Sequence, residues 1–160
     1  MTRRTRKFII DNTTGTVYSN VTDVANATNA NISAGVSPKI LKTTITSPGK
    51  NIVVVNGNKP INFGRNVLIN NISLSVVDRL GRIGVTAAPT GSGITVRLRK
   101  VTAAGAESTL GTFSLNTGNT SSSTSVSFSI TSTDSLFYDV TAIGSSKPGH
   151  GLTVTTSFFG

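Results

Sequence analysis

The chain holds one histidine, His150, no cysteine and six carboxylates, so its means for catalysis are few. The carboxylates are Asp11, Asp23, Asp78, Glu107, Asp134 and Asp139, scattered singly along 160 residues. A working histidine needs a base, acid or metal partner within hydrogen-bond reach. Asp139 lies eleven residues before His150, and the twenty serines let a Ser/His/Asp set be drawn on paper. The Gly-x-Ser-x-Gly turn that exposes a nucleophilic serine is absent, however. His150 itself sits in Lys-Pro-Gly-His-Gly, residues 147–151, which reads as a turn and suits an interface better than a catalytic centre. Gly49-Lys50 has Thr44 where a phosphate loop would have its first glycine. No carboxylate-rich calcium loop occurs, and without cysteine neither a disulfide nor a thiolate-bound metal is available. These residues predict no enzyme, no cofactor and no metal.

The cations are more informative. The formal net charge is +9, and Arg3, Arg4, Arg6 and Lys7 place four of fifteen cations in the first seven residues, just before Phe8, Ile9 and Ile10. Such an arm can neutralise phosphates or dock on an acidic protein surface. A second group, Arg97, Arg99 and Lys100, shares one predicted strand. Single-strand nucleic-acid binders set aromatics beside such cations on the solvent face. Here Phe113, Phe128 and Tyr138 fall in phase with aliphatic neighbours and read as core. Arg97, Arg99, Lys100 and His150 are therefore candidate interface residues, and nucleic acid is a poor fit as a partner.

Behind these side chains the sequence predicts strands. Ser, Thr, Asn and Gly account for 75 residues, 36% of residues are apolar, and many of those are β-branched. Residues 1–48 lack a clear amphipathic period and read as a basic, Asn/Thr-rich extended arm. Residues 49–160 read as a β-sandwich domain. Residues 52–55, Ile-Val-Val-Val, are a buried-strand candidate closed by the turn dipeptide Asn56-Gly57. Ile72, Leu74 and Val76 alternate with Ser73 and Ser75; Ile94, Val96 and Leu98 with Thr95, Arg97 and Arg99; Val126, Phe128 and Ile130 with Ser127 and Ser129. Gly111 reads as a bulge in the strand carrying Phe113 and Leu115, and residues 116–125 as a loop. Seven or eight short strands with no helical period define an all-β, antiparallel β-sandwich. No apolar run is long enough to span a bilayer. The three-residue apolar run after the basic start is too short for a secretory signal.

Residues 135–160 read as two strands around a Gly/Pro turn: an aromatic strand with an Asp-Val-Thr core, then Leu-Thr-Val near the end. This segment resembles the closing hairpin of β-sandwich (jelly-roll) modules in virion structural proteins of tailed bacteriophages. The resemblance covers roughly residues 94–160. It implies a virion protein made in the bacterial host cytoplasm, with a capsid decoration (cement) protein as the leading expectation. Such a protein binds the major capsid protein on the outer surface, stabilises the shell and assembles as a trimer. Two alternatives stand beside it. One is a small tail or fibre component, receptor-binding through its Ser/Thr/Asn-rich loops. The other is a nucleic-acid-associated capsid protein acting through the basic N-terminus.

Overall fold

The computed structural model describes residues 9–10, 17–18 and 38–160. Near the N-terminus, β1 (Ile9–Ile10) pairs antiparallel with β2 (Val17–Tyr18). The expected docking residues Arg3, Arg4, Arg6, Lys7 and Phe8 lie outside the described residues.

Eight further strands form the body: β3 (Lys39–Thr44), β4 (Ile61–Asn62), β5 (Val67–Val76), β6 (Ile94–Val101), β7 (Glu107–Leu115), β8 (Ser121–Ile130), β9 (Ser135–Ala142) and β10 (Leu152–Phe159). They build two four-stranded antiparallel sheets, in the orders β3-β10-β5-β8 and β4-β9-β6-β7. The pairs β3/β10, β4/β9, β5/β8 and β6/β7 nest inside one another along the chain. A long antiparallel ribbon rolled into two facing sheets gives this order, which is the jelly roll. The described residues contain no helix.

Period-2 patterning sets the core. Ile94, Val96 and Leu98 on β6 face Ile72, Leu74 and Val76 on β5, and all six are at most 1% exposed. Tyr138 and Val140 of β9, with Leu152 and Val154 of β10, fill the layer between the sheets. Fully burying a side chain of this size contributes about 1.5–3 kcal/mol. The expected phase of β8 holds, but Val126 and Phe128 are only half-buried because β8 is an edge strand. Gly111 does lie at a bulge: Leu98 pairs with Gly111 while Arg99 pairs with Thr109. A Cβ there would come within 2.9 Å of the Phe113 ring and 3.0 Å of the Phe128 ring.

Four expectations change. The last two strands are not a hairpin, because β9 pairs with β4 and β6 while β10 pairs with β3 and β5. The turn between them carries the chain from one sheet to the other. Of residues 52–55 only Ile52 is buried; Val53 and Val54 are 56% and 55% exposed, and the segment joins β9 through one bridge, Val55 to Val140. A continuous apolar run cannot reveal which of its members face inward. Residues 121–125, read as loop, form half of β8, since pairing to β5 supplies the order their hydroxyl side chains do not signal. Finally, β3 falls within the stretch read as arm, so the sandwich begins at Lys39. Leu41 is its one partly buried apolar side chain packed on the core, too weak a pattern to show as a strand.

Candidate docking surfaces

Two of the expected cations, Arg97 and Arg99, lie on the outer face of the β4-β9-β6-β7 sheet, while Lys100 shares the phase of Leu98 at the strand end, opposite Leu136. Alternation on β6 turns Arg97 and Arg99 outward, and the ladder places them opposite Asp139 and Phe137 of β9. Arg97 Nη2 donates to Asp139 Oδ2 at 2.6 Å, and Arg99 Nη1 lies 3.5 Å from the same oxygen. Arg99 Nη2 also donates to Glu107 Oε2 at 2.9 Å, while its guanidinium sits 5.3 Å from the centre of the Phe137 ring. Lys100 Nζ is 3.6 Å from Asp134 Oδ2. The Thr131 amide, donating to Asp134, and then Lys100 hold that carboxyl below the usual carboxylate range, against the opposing effect of burial.

Three cations thus meet three carboxylates within this chain. The Asp139 side chain is 3% exposed and serves both arginines. It is accordingly turned to Arg97 and Arg99, and the Ser/His/Asp set drawn on paper is not assembled. A strand of alternating residues showed the arginines, but their acids come from two other strands, Asp139 on β9 and Glu107 on β7.

The other sequence-marked residue, His150, lies at the end of the sandwich where the long loops meet. Its amide donates to Ala87 O at 3.0 Å and its carbonyl accepts from Val77 N at 3.1 Å. Gly151 N donates to Lys50 O, Ile52 N to Gly149 O, and Thr90 N to Lys147 O. Gly49 takes φ +74°, and a Cβ on it would come within 3.1 Å of Arg79 Cα. These contacts bring exposed Lys50, Arg79 and Lys147 to the same end of the body as His150.

From this end projects the loop of residues 78–86. Asp78 organises it: Oδ1 accepts from Leu80 N at 3.0 Å and Arg82 N at 2.9 Å, and Oδ2 from Arg82 Nε at 3.2 Å. The Arg82 amide is the main reason the Asp78 carboxyl sits below its usual range; burial acts against it, and the Leu80 amide and the Arg82 charge add to it. The loop presents Leu80 at 72%, Ile83 at 58% and Val85 at 100% exposure. A shallow cleft of about 310 Å³ runs beside them, lined by Asp78, Arg82, Ile83, Gly84, Val85 and Thr86. Exposed apolar side chains with cations nearby suit contact with an acidic, partly apolar surface. The available sequence signal was Asp78 four residues before Arg82, around Leu80-Gly81. Among the described residues no cluster of three metal-ligating side chains occurs.

Fold and surfaces together define an all-β sandwich protein of jelly-roll topology. No family model matches the chain, and no curated protein does. Its weak likenesses to solved structures include the following two. The globular domain of zebrafish complement 1qA protein is 12% identical, with 75% of this chain and 93% of that one covered and a TM-score of 0.39. A protein of Bacillus endospore appendages, described as a novel family of disulfide-linked pili, is 15% identical, with 77% and 89% covered and a TM-score of 0.33.

Proposed function

We propose that this chain is a structural protein of a tailed-phage virion, a capsid decoration protein that binds the outer shell surface and stabilises it. The observation that carries the reading is the loop end, where Leu80, Ile83 and Val85 project from a hydrogen-bonded frame flanked by Lys50, Arg79 and Lys147. Its partner is the major capsid protein, met on an acidic surface. The basic arm (Arg3, Arg4, Arg6 and Lys7, with Phe8, Ile9 and Ile10) supplies a second point of contact. The protein works as a homo-oligomer, a trimer by the resemblance of residues 94–160, without catalysis, cofactor, metal or membrane. The balance of Arg97, Arg99 and Lys100 by Asp139, Glu107 and Asp134 weighs against nucleic acid as the partner of the body.

The test is co-sedimentation of the full chain with phage shells stripped of decoration protein, followed by heating of the decorated shells. Binding should raise the temperature of shell disruption. Leu80→Asp with Val85→Asp should weaken binding at least about tenfold, since each change sets a charge against an apolar contact. Raising salt should weaken it further, because exposed charges are screened over about 8 Å at physiological ionic strength. Wild-type protein that fails to bind, or the double variant binding as tightly, overturns the reading and leaves the tail or fibre role.

A further inference from the structure

An open sheet ends in edges, and an edge that is long, flat and uncharged is a template for another strand. The sandwich has four edge strands, β3 and β8 in one sheet, β4 and β7 in the other. Three carry protection. Strand β3 bears Lys39 and Lys42 within six residues, β4 is two residues long, and β7 begins with Glu107 and is bulged beside Gly111.

Strand β8 has no such device over its first half. Its ten residues include no charge and no proline, and Ser121, Ser123, Thr124, Ser125, Ser127 and Ser129 are exposed. It pairs with β5 on one side and with no other described strand on the opposite side. A bulge sets Val126 and Ser127 against Asn70, so only the second half is bent. The sheet face beside it is equally uncharged. Ser73 and Ser75 of β5 and Thr153 and Thr155 of β10 continue the rows from Ser121 and Ser123, and the first charge met is Lys42 on the far edge.

Charge decides the occupant. Copies of a chain with net charge +9 repel wherever their cations face each other, and along β8 no cation stands. The run Ser-Ser-Ser-Thr-Ser is also self-complementary, since antiparallel pairing about a two-fold axis through Ser123 sets a hydroxyl residue opposite a hydroxyl residue along all five positions. Val126 and Phe128, half-buried at this lip, would gain cover from an added strand.

We propose that β8 is a self-docking edge. The β8 strand of a second copy adds antiparallel across a two-fold axis and joins two four-stranded sheets into one of eight strands. Main-chain hydrogen bonds supply the affinity, as in other strand additions. The contact is pairwise, so it links units and does not itself build a trimer. It does not depend on the virion role, and shell binding can fail without affecting it.

Sedimentation velocity on the full chain over about 1–100 µM, where weak pairing registers, tests the proposal. Mass should rise with concentration, and β8 amides should exchange more slowly as it does. Ser123→Lys with Ser125→Lys should raise the dissociation constant at least about tenfold, because like charges then face across the strands. The absence of native cysteine allows a second readout that needs no charge. Ser123→Cys should oxidise to a covalent dimer, whereas Ser47→Cys, exposed in a distant loop, should not. A chain monomeric at every concentration overturns the proposal. So does association unchanged by the lysines, equal cross-linking at both cysteines, or β8 protection independent of concentration, which would mean another segment of the same chain covers the edge.

Discussion

The hydroxyl of Tyr138 on β9 hydrogen-bonds the hydroxyl of Thr156 on β10, joining the two sheets through the middle of an otherwise apolar core. Both residues are 0% exposed. The two strands that a linear reading pairs as a hairpin therefore meet face to face across the sandwich, not edge to edge.

Each hydroxyl is buried against the other, so removing either one strands its partner. Tyr138→Phe and Thr156→Val should each cost about 1–3 kcal/mol in urea unfolding, the penalty for an unsatisfied buried polar group. The double variant should cost less than the two singles added, giving a measurable coupling energy. Strictly additive effects would mean the hydroxyls do not depend on each other.

Burial also pushes the Tyr138 phenol up to about 12, from an ordinary value of 10.0. Its neutral form is favoured in the folded state, so this contribution is intact below pH 10 and is lost as pH rises through 12. Wild-type stability should fall across that interval more steeply than that of Tyr138→Phe, measured by urea midpoints at each pH.

Asp139 holds Arg97 and Arg99 together beneath the Gly57 turn, where a Cβ on Gly57 would touch the Phe137 ring at 3.4 Å. Asp139→Asn preserves the shape and removes the charge. We expect a loss of about 1–2 kcal/mol, below the figure for a fully buried pair because the arginines are partly solvated. Retention on a polyanion column should rise at the same time, since the patch gains one net positive charge. Unchanged retention would show that another carboxylate takes its place.

The start of the sandwich at Lys39 separates two truncations. Removal of residues 1–37 leaves all eight strands and should preserve a cooperative β-type transition. Removal of residues 1–48 takes away β3, uncovers one edge of β10 and strips Leu41 and Ile45 from the core surface. That should cost at least about 2 kcal/mol, the scale of one well-packed aliphatic side chain. Equal midpoints for the two would show that β3 adds nothing to the fold.

The phase of β8 can be checked by one pair of changes. Phe128 packs on the core and against Gly111, whereas Ser127 points to solvent. Phe128→Ala should lower stability by about 2 kcal/mol, less than a fully buried phenylalanine would. Ser127→Ala should stay within about 0.5 kcal/mol. The reverse order would place the bulge elsewhere.

Sequence by itself determined the alternation of Ile72, Leu74 and Val76 and of Ile94, Val96 and Leu98, because side chains on a strand point to opposite faces whatever the strand pairs with. The bulge at Gly111 and the outward set of Arg97 and Arg99 were legible for the same local reason. What lay beyond reach was every relationship that depends on distant partners. Whether the Ser-rich residues 121–125 become strand depends on Asn71 to Ser75 lying alongside, about fifty residues earlier. Whether β9 and β10 share a sheet depends on how the whole ribbon rolls. Arg97 and Arg99 read as a free basic patch until β9 delivers Asp139 and β7 delivers Glu107 beside them. A period of two fixes which way a side chain points; only the tertiary fold decides what it meets there.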